Sequence, residues 1–257
     1  MAVRIALAGK GGTGKTTTAA LLIRYLVETG QGPVLAVDAD PNANLNELLG
    51  LTVEITLGEI KNELRTSVPE SMARGDFMEM RVHEALVEAE GYDLLVMGQP
   101  EGPGCYCAAH AFLSQALQRL EKSYRYLVVD NEAGMEHLSR LNMVEIDHLL
   151  VVSDASTRGV LTAARIAALV KPLQLQVAHQ WLLVNRAPET IPGALDLYVR
   201  ETCQKEGLQF LGYLPESPEI FELEISQRPL WELPSGHPLL QKAYHLFDHM
   251  LEVPKNS

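Results

Sequence analysis

One short segment constrains the fold of this 257-residue chain more than any other. Residues 9–16 read GKGGTGKT and fit the pattern G-x-x-x-x-G-K-[ST]. An apolar run over Val3–Ala8 precedes the segment and an amphipathic pattern over Lys15–Thr29 follows it, which predicts a strand and then a helix. Glycines let such a backbone wrap a polyphosphate, and the helix directs its positive dipole end at the same charge. The segment therefore predicts a phosphate-binding loop, hereafter the P-loop.

The side chains of the P-loop suggest how a nucleotide is held. Lys15 is expected to contact the β- and γ-phosphates of ATP, and the hydroxyl of Thr16 to ligate Mg²⁺. The other loop residues expected to bind the nucleotide are Gly11, Gly12, Thr13, Gly14 and Thr17. A glycine-rich turn without a ligand is disfavoured, because both the motif and its strand–helix context are present.

Short apolar runs alternate with helical patterns along the rest of the chain. The runs predicted as strands are Val34–Val37, Asp93–Met97, Tyr126–Val129, His148–Val152, Trp181–Val184 and Gln209–Tyr213. The predicted helices are Ala108–Lys122, Thr157–Lys171, Pro192–Glu206 and His237–Leu251. Nearly continuous apolar strands are typical of a parallel sheet that is buried on both faces. The pattern predicts an α/β fold with a mostly parallel sheet and helices on both faces.

The domain prediction is a single unit over 1–257. Residues 50–91 are less regular, and the hypothesis for them is an insertion or a mobile region, with helix-like pieces at Leu57–Leu64 and His83–Glu90.

Composition limits the classes of partner. The chain has 33 acidic and 21 basic residues, a formal net charge of −12, so it lacks a global surface for nucleic-acid phosphates, although a local basic patch is not excluded. No apolar stretch approaches the ~18 residues that a membrane span needs. Three cysteines and no recognisable secretory signal favour the reducing cytoplasm. We expect neither nucleic acid nor membrane as partner.

Carboxylates follow two predicted strands beside the P-loop. Val34–Val37 leads into Asp38 and Asp40, and Tyr126–Val129 leads into Asp130. A carboxylate here can orient an attacking water or hold Mg²⁺, and we expect Asp38 and Asp130 to support the metal. The alternative for Asp38 and Asp40 is an Asp-Pro turn that merely ends the strand. The segment 130–137 resembles a nucleotide-sensing switch.

The P-loop also carries a second lysine. KGGTGKTT resembles the deviant Walker A motif of the nitrogenase iron protein, the septum-site and plasmid-partition ATPases and the arsenite-pump ATPase. The resemblance implies a P-loop NTPase of the nitrogenase-iron-protein type, in which Lys10 crosses a dimer interface to the other subunit's nucleotide. It also implies that Asp40, which precedes Pro41, is the catalytic base, alongside the catalytic lysines Lys10 and Lys15. Asn44 stands where the iron-protein branch has an aspartate.

The same resemblance implies a base-recognition site. Trp181–Val184 ends in Asn185 and Arg186, and the family's asparagine in this pair contacts the base. Pro215 matches a segment whose backbone also contacts the base. From the residues alone, Asn185 is equally well explained as a cap of a helix or turn.

Cys105 and Cys107 form a C-x-C among glycines and prolines. Two thiols at i and i+2 on an extended segment face the same side, which would supply half of a tetrahedral metal site. Two core cysteines are the alternative. GCYC, together with DNEAGMEHLSR at 130–140 and VVSDAS-x-RG at 151–159, resembles the nickel-insertion ATPases of carbon monoxide dehydrogenase maturation.

This second resemblance implies a metallochaperone. It would be a homodimer in the ATP-bound state that holds Ni²⁺ or Zn²⁺ at the dimer interface, with carbon monoxide dehydrogenase or acetyl-CoA synthase as client. A partition or septum-site ATPase and an iron–sulfur carrier remain the alternatives. The first predicts a basic C-terminal helix, whereas the last 21 residues carry only Lys242 and Lys255 as cations. The second would use two well-separated cysteines rather than a C-x-C.

Overall fold

An eight-stranded sheet organises the part of the chain that the structure describes. The structure is a computed structural model that describes residues 2–42, 44–99, 106–135 and 145–253, and only the backbone of 106–111. The strands are β1 (Val3–Gly9), β2 (Val34–Asp38), β3 (Val87–Ala89), β4 (Tyr92–Val96), β5 (Tyr126–Asp130), β6 (Glu145–Asp154), β7 (Gln176–Ala187) and β8 (Gln209–Pro215). The helices are α1 (Lys15–Glu28), α2 (Leu45–Leu49), α3 (Leu57–Thr66), α4 (Arg74–Glu84), α5 (Tyr106–Leu120), α6 (Thr157–Ala168), α7 (Gly193–Glu206), α8 (Pro218–Ile225) and α9 (Pro238–Glu252).

The order of the strands places the P-loop at a break in the topology. The order is β3-β4-β2-β5-β1-β6-β7-β8, and every neighbouring pair is parallel except β3 with β4. Strands β2 to β5 lie on one side of β1 in the sheet, and strands β6, β7 and β8 lie on the other side. Ligands bind at the carboxyl ends of the strands where the order reverses in this way. The predicted mostly parallel α/β fold is confirmed.

Both faces of the sheet are buried. Ile5 and Leu7 of β1 belong to a core shared with α1 and α9, whereas Ala6 and Ala8 belong to a core shared with α5, α6 and α7. All four side chains are fully buried. Alternate residues of one strand therefore contact opposite helical layers, which explains why the strands are almost wholly apolar.

A buried arginine of α1 fixes the segment that follows α8. Arg24 is 2% exposed and donates hydrogen bonds to the carbonyl oxygens of Leu230 at 2.7 Å and Leu233 at 2.8 Å. It also pairs with Glu28 at 2.8 Å. A buried charge needs such partners, and here they hold the chain after α8 against the helix that begins at the P-loop.

Residues 50–91 contain regular elements that pack on the sheet. Leu57 and Ile60 of α3 are buried in the core with α5. The predicted helix at His83–Glu90 is wrong, because α4 ends at Glu84 and β3 follows as an antiparallel edge strand. Gly91 adopts a φ of 84° in the two-residue turn between β3 and β4, a conformation that favours glycine.

The longest helices that the structure describes, α5 and α9, have 15 residues each. A helix that crosses a bilayer needs ~20 mostly apolar residues. Within the described ranges, none combines the length and the apolar character required for a membrane span.

Candidate nucleotide-binding site

The P-loop follows β1 directly and ends at the start of α1. Glycine is required at two of its positions for steric reasons. A Cβ at Gly9, whose φ is 150°, would lie 2.4 Å from the carbonyl oxygen of Val152. A Cβ at Gly14, whose φ is 88°, would lie 2.2 Å from the amide nitrogen of Asn185. The motif thus allows the loop to lie close to the ends of β6 and β7.

Side chains engage the carbonyl oxygens of the loop. Asn185 donates its amide N–H to the carbonyl of Thr13 at 2.9 Å, and Arg186 donates to that of Gly12 at 3.3 Å. The hydroxyl of Thr13 donates to the carbonyl of Lys10 at 2.9 Å. With these carbonyl oxygens already bonded, the loop can offer its N–H groups to an anion. Asn185 and Arg186 therefore brace the loop, a role that the sequence did not indicate.

The two lysines of the loop occupy different environments. Lys15 is only 8% exposed, and its ammonium lies 3.4 Å from the carbonyl oxygen of Lys10. One carbonyl is a weak partner for a buried ammonium, and a phosphate would be a stronger one. The side chain of Lys10 is exposed on the same loop. Its position leaves it accessible to a second molecule.

Asp38 and Asp130 end neighbouring strands and are directly paired in register. They are 0% and 1% exposed. Burial raises the pKa of Asp38 to about 6, although its oxygens accept from the backbone N–H groups of Asp40 at 3.1 Å and Leu45 at 2.9 Å. Burial also raises the pKa of Asp130 to about 7, and a hydrogen bond with Thr16 opposes this shift.

Thr16 and Asp130 fit a magnesium ion. Oδ1 of Asp130 is buried and has no hydrogen-bond partner among the described residues, and buried oxygens without partners are rare. Carboxylate and hydroxyl oxygens are the ligands that Mg²⁺ prefers, and the ion would neutralise charge on a bound polyphosphate. Both oxygens of Asp38 already accept backbone hydrogen bonds, so the structure favours a supporting role for this residue.

Asp40 combines the two interpretations that its sequence allows. Its Oδ1 accepts from the backbone N–H of Asn42 at 2.8 Å and from the Asn42 side chain at 3.1 Å, so it does build a turn. It also lines the cavity beside the P-loop. The turn orients the carboxylate of Asp40, and its place at the cavity wall would allow it to accept a proton from a water.

Two adjoining cavities connect the residues predicted to bind the phosphates with those predicted to bind the base of the nucleotide. The first has a volume of about 540 Å³ and is lined by Lys15, Thr16 and Asp40, among others. The second, of about 560 Å³, is lined by Asn185 and Pro215. Both are lined by Thr17, Arg186 and Glu224. The volumes are within the usual range for small-molecule sites.

Helix α8 forms a wall of this site that the sequence analysis missed. Leu223 and Glu224 line the first cavity, and Glu224 accepts a hydrogen bond from the Thr17 hydroxyl at 3.4 Å. Pro218 at the first turn of α8 is a helix-start signal that could have revealed the element. Its proximity to the P-loop depends on tertiary packing.

The switch segment is described only in part. Gly134 has a φ of 99°, and its N–H donates to the carbonyl of Gly9 at 3.2 Å, which joins the segment to the start of the P-loop. Glu136 and His137 lie outside the described residues.

The predicted extended segment at the C-x-C is wrong in its second half. Helix α5 begins at Tyr106, so the backbone of Cys107 lies in a helical turn, and Cys105 lies outside the described residues. Cys203 is buried on α7, and burial raises the pKa of its thiol to about 11. In the ranges with described side chains, no group of three or more His, Cys, Asp or Glu residues could hold a metal.

A P-loop between a central strand and a helix, with two carboxylates on adjacent strand ends, defines a P-loop nucleotide-binding protein. Residues 5–230 match the family described as the CobQ/CobB/MinD/ParA nucleotide binding domain. The chain therefore belongs to this family.

Related proteins and structures agree with this assignment. An uncharacterised ATP-binding protein of Methanocaldococcus jannaschii is 39% identical over 252 residues, which cover 96% of this chain and 98% of that protein. The carbon monoxide dehydrogenase accessory protein CooC of Rhodospirillum rubrum is 32% identical over 188 residues, 68% of this chain and 71% of that protein. The cell division ATPase MinD of Pyrococcus furiosus has a similar fold, with a TM-score of 0.72 at 20% identity, covering 99% of this chain and 100% of that one.

Proposed function

We propose that this protein is an ATPase that dimerises with ATP, binds nickel and helps to insert it into carbon monoxide dehydrogenase or acetyl-CoA synthase. One observation supports the nucleotide chemistry above all. The buried, unpartnered oxygen of Asp130 is on the carboxylate that is hydrogen-bonded to Thr16, in a site that also contains the poorly paired Lys15. Mg²⁺ would be the partner that the Asp130 oxygen lacks, and a polyphosphate would be a stronger partner for the ammonium of Lys15.

The proposed hydrolysis uses residues of this chain in distinct roles. Lys15 and the loop N–H groups bind the phosphates, and Asp40 orients a water and accepts its proton. Lys10 would reach the nucleotide of a second subunit, which would make hydrolysis depend on dimerisation. The exposed position of Lys10 agrees with this role.

The nickel proposal rests on Cys105 and Cys107 and on the similarity to the accessory protein CooC. Two chains related by a two-fold axis would supply four thiolates to one ion carried as cargo. Thiolate sets accept both nickel and zinc.

Transfer of nickel to a client tests this proposal. Nickel-free carbon monoxide dehydrogenase or acetyl-CoA synthase would be incubated with Ni²⁺, Mg²⁺–ATP and this protein, and the activity that the client gains would be measured. We expect the wild type to activate one of them, and the double variant Cys105→Ser/Cys107→Ser to fail. Cys203→Ser is the matched control and should behave as the wild type, because Cys203 is buried on α7.

Two outcomes would reject the proposal. If the double serine variant loads the client as well as the wild type, the C-x-C does not carry the metal. If neither client gains activity while the protein binds DNA or vesicles in an ATP-dependent way, a partition or septum-site role replaces it.

A further inference from the structure

A third cavity, of about 540 Å³, lies among α3, α4 and α5. It shares no lining residue with the two cavities of the nucleotide site. Four of its lining residues are cations, and we call it the basic pocket: Lys61 and Arg65 of α3, Arg74 of α4 and Arg119 of α5. Such a cluster is unexpected in a chain whose formal net charge is −12.

The charges of the basic pocket are poorly compensated. Arg119 pairs with Glu79 at 2.8 Å, but Lys61, Arg65 and Arg74 have no carboxylate within 4.0 Å in the described part of the chain. Glu63, which lies between Lys61 and Arg65 in the sequence of α3, pairs with Arg81 at 2.7 Å.

The helices themselves add unfavourable electrostatics at the same place. Lys61 and Arg65 are one turn apart on α3, a like-charge pair that destabilises a helix. Arg74 is the first residue of α4, where the helix dipole disfavours a cation, although Asp76 in the same turn offsets part of this effect. Ala73 before it provides no side-chain cap. An anion in the pocket would reduce both the repulsion on α3 and the unfavourable position of Arg74 on α4.

The floor of the basic pocket is apolar. Leu64, Met78 and Phe112 line it and are 9%, 6% and 8% exposed. Inorganic phosphate would gain nothing from such a floor, whereas an aliphatic or aromatic side chain would. DNA or an anionic membrane extends far beyond the ~8 Å over which salt leaves the pocket's charges effective. Such a large polyanion would also be repelled by the acidic remainder of the chain, which disfavours its binding.

We propose that the basic pocket binds a short acidic peptide segment of a partner protein, with apolar residues between its carboxylates. The apolar side chains would contact Leu64, Met78 and Phe112, and the carboxylates would pair with the cations at the rim. The proposal does not depend on nickel. It does place the partner on α5, the helix whose first turn contains Cys107.

Fluorescence polarisation with a labelled peptide EEEFLEEE tests the proposal. We expect the wild type to bind the peptide and Lys61→Glu/Arg65→Glu to bind it at least about tenfold more weakly, since two ion pairs become repulsive. Lys171→Glu/Lys205→Glu is the control, because it makes the same change in net charge at exposed sites outside the pocket. Binding of a fluorescent ATP analogue should be equal in all three proteins and reports that the variants are folded.

Several results would overturn the inference. They are no binding by the wild type, equal weakening in the control variant, or equal binding of a peptide in which serine replaces the phenylalanine and leucine. Displacement of the peptide by inorganic phosphate alone would indicate a simple anion site. Binding to vesicles of phosphatidylcholine and phosphatidylserine, or to DNA, that is lost in Lys61→Glu/Arg65→Glu would show that the pocket binds a membrane or DNA rather than an acidic peptide.

Discussion

Replacing Asp130 by asparagine should stabilise the nucleotide-free protein, and only at high pH. Asp130 is 1% exposed, and burial raises its pKa from 3.8 to about 7. Its folded-state pKa is above its unfolded value, so the folded protein holds this proton more tightly. The protonated carboxyl group of Asp130 therefore contributes to the free energy of unfolding at low pH, and this contribution is lost as the pH rises from about 4 to about 7.

The magnitude follows from the shift. About three pKa units correspond to roughly 4 kcal/mol of unfavourable free energy when Asp130 is charged. The asparagine that replaces it carries no charge, but its amide brings a buried donor that costs about 1–3 kcal/mol if it finds no partner. We expect a net gain of about 1–3 kcal/mol at pH 8, which for a chain of this size raises the Tm by roughly 2–12 °C.

Thermal unfolding by circular dichroism, in chelator and without nucleotide, measures this effect from pH 5 to pH 8. The Tm difference between Asp130→Asn and the wild type should grow with pH and vanish near pH 5. Asp76→Asn, an exposed change on α4, is the matched control and should show no such trend. A difference that does not depend on pH, or a variant that melts earlier at pH 8, would refute the account of Asp130.

Three further variants test the nucleotide site. Lys15→Ala should abolish ATP hydrolysis in a phosphate-release assay, and turnover like the wild type would reject the assignment of the loop. Lys10→Ala should still bind ATP but remain monomeric in light scattering, because it removes the cation assigned to the second subunit, and an unchanged ATP-dependent dimer would contradict that role. Asp40→Asn should bind ATP and dimerise but turn over at least about 100-fold more slowly, as expected for a lost general base. A normal rate would make Asp40 a turn residue only.

The elements that the sequence predicts well are those with local patterns. The P-loop and the buried strands depend on glycine spacing and on apolar runs, and these patterns predict Asp38 and Asp130 at strand ends beside the P-loop. That the two strands are neighbours follows only from the register of the sheet. The β3–β4 hairpin also has a local signal, in Gly91 between short strands. The predicted helix at His83–Glu90 contains β3 and is therefore wrong there, because three strand residues are too few to show an alternating pattern.

Other features arise only from tertiary packing. The bracing of the P-loop by Asn185 and Arg186 requires the end of β7 to lie beside the loop, and the two hydrogen bonds join residues 172 and 174 positions apart in sequence. The basic pocket combines cations from three helices, and no single stretch of sequence is rich in them. Periodicity alone could not reveal either arrangement.

The number of metal ions per dimer tests the central claim most directly. Asp40→Asn would be saturated with Mg²⁺–ATP and Ni²⁺, its mass measured by light scattering and its nickel by elemental analysis. The account predicts a dimer with one tightly bound nickel ion, and none when Cys105→Ser/Cys107→Ser is combined with it. One nickel ion per monomer, or nickel retained without both cysteines, would contradict a site shared across the two-fold axis.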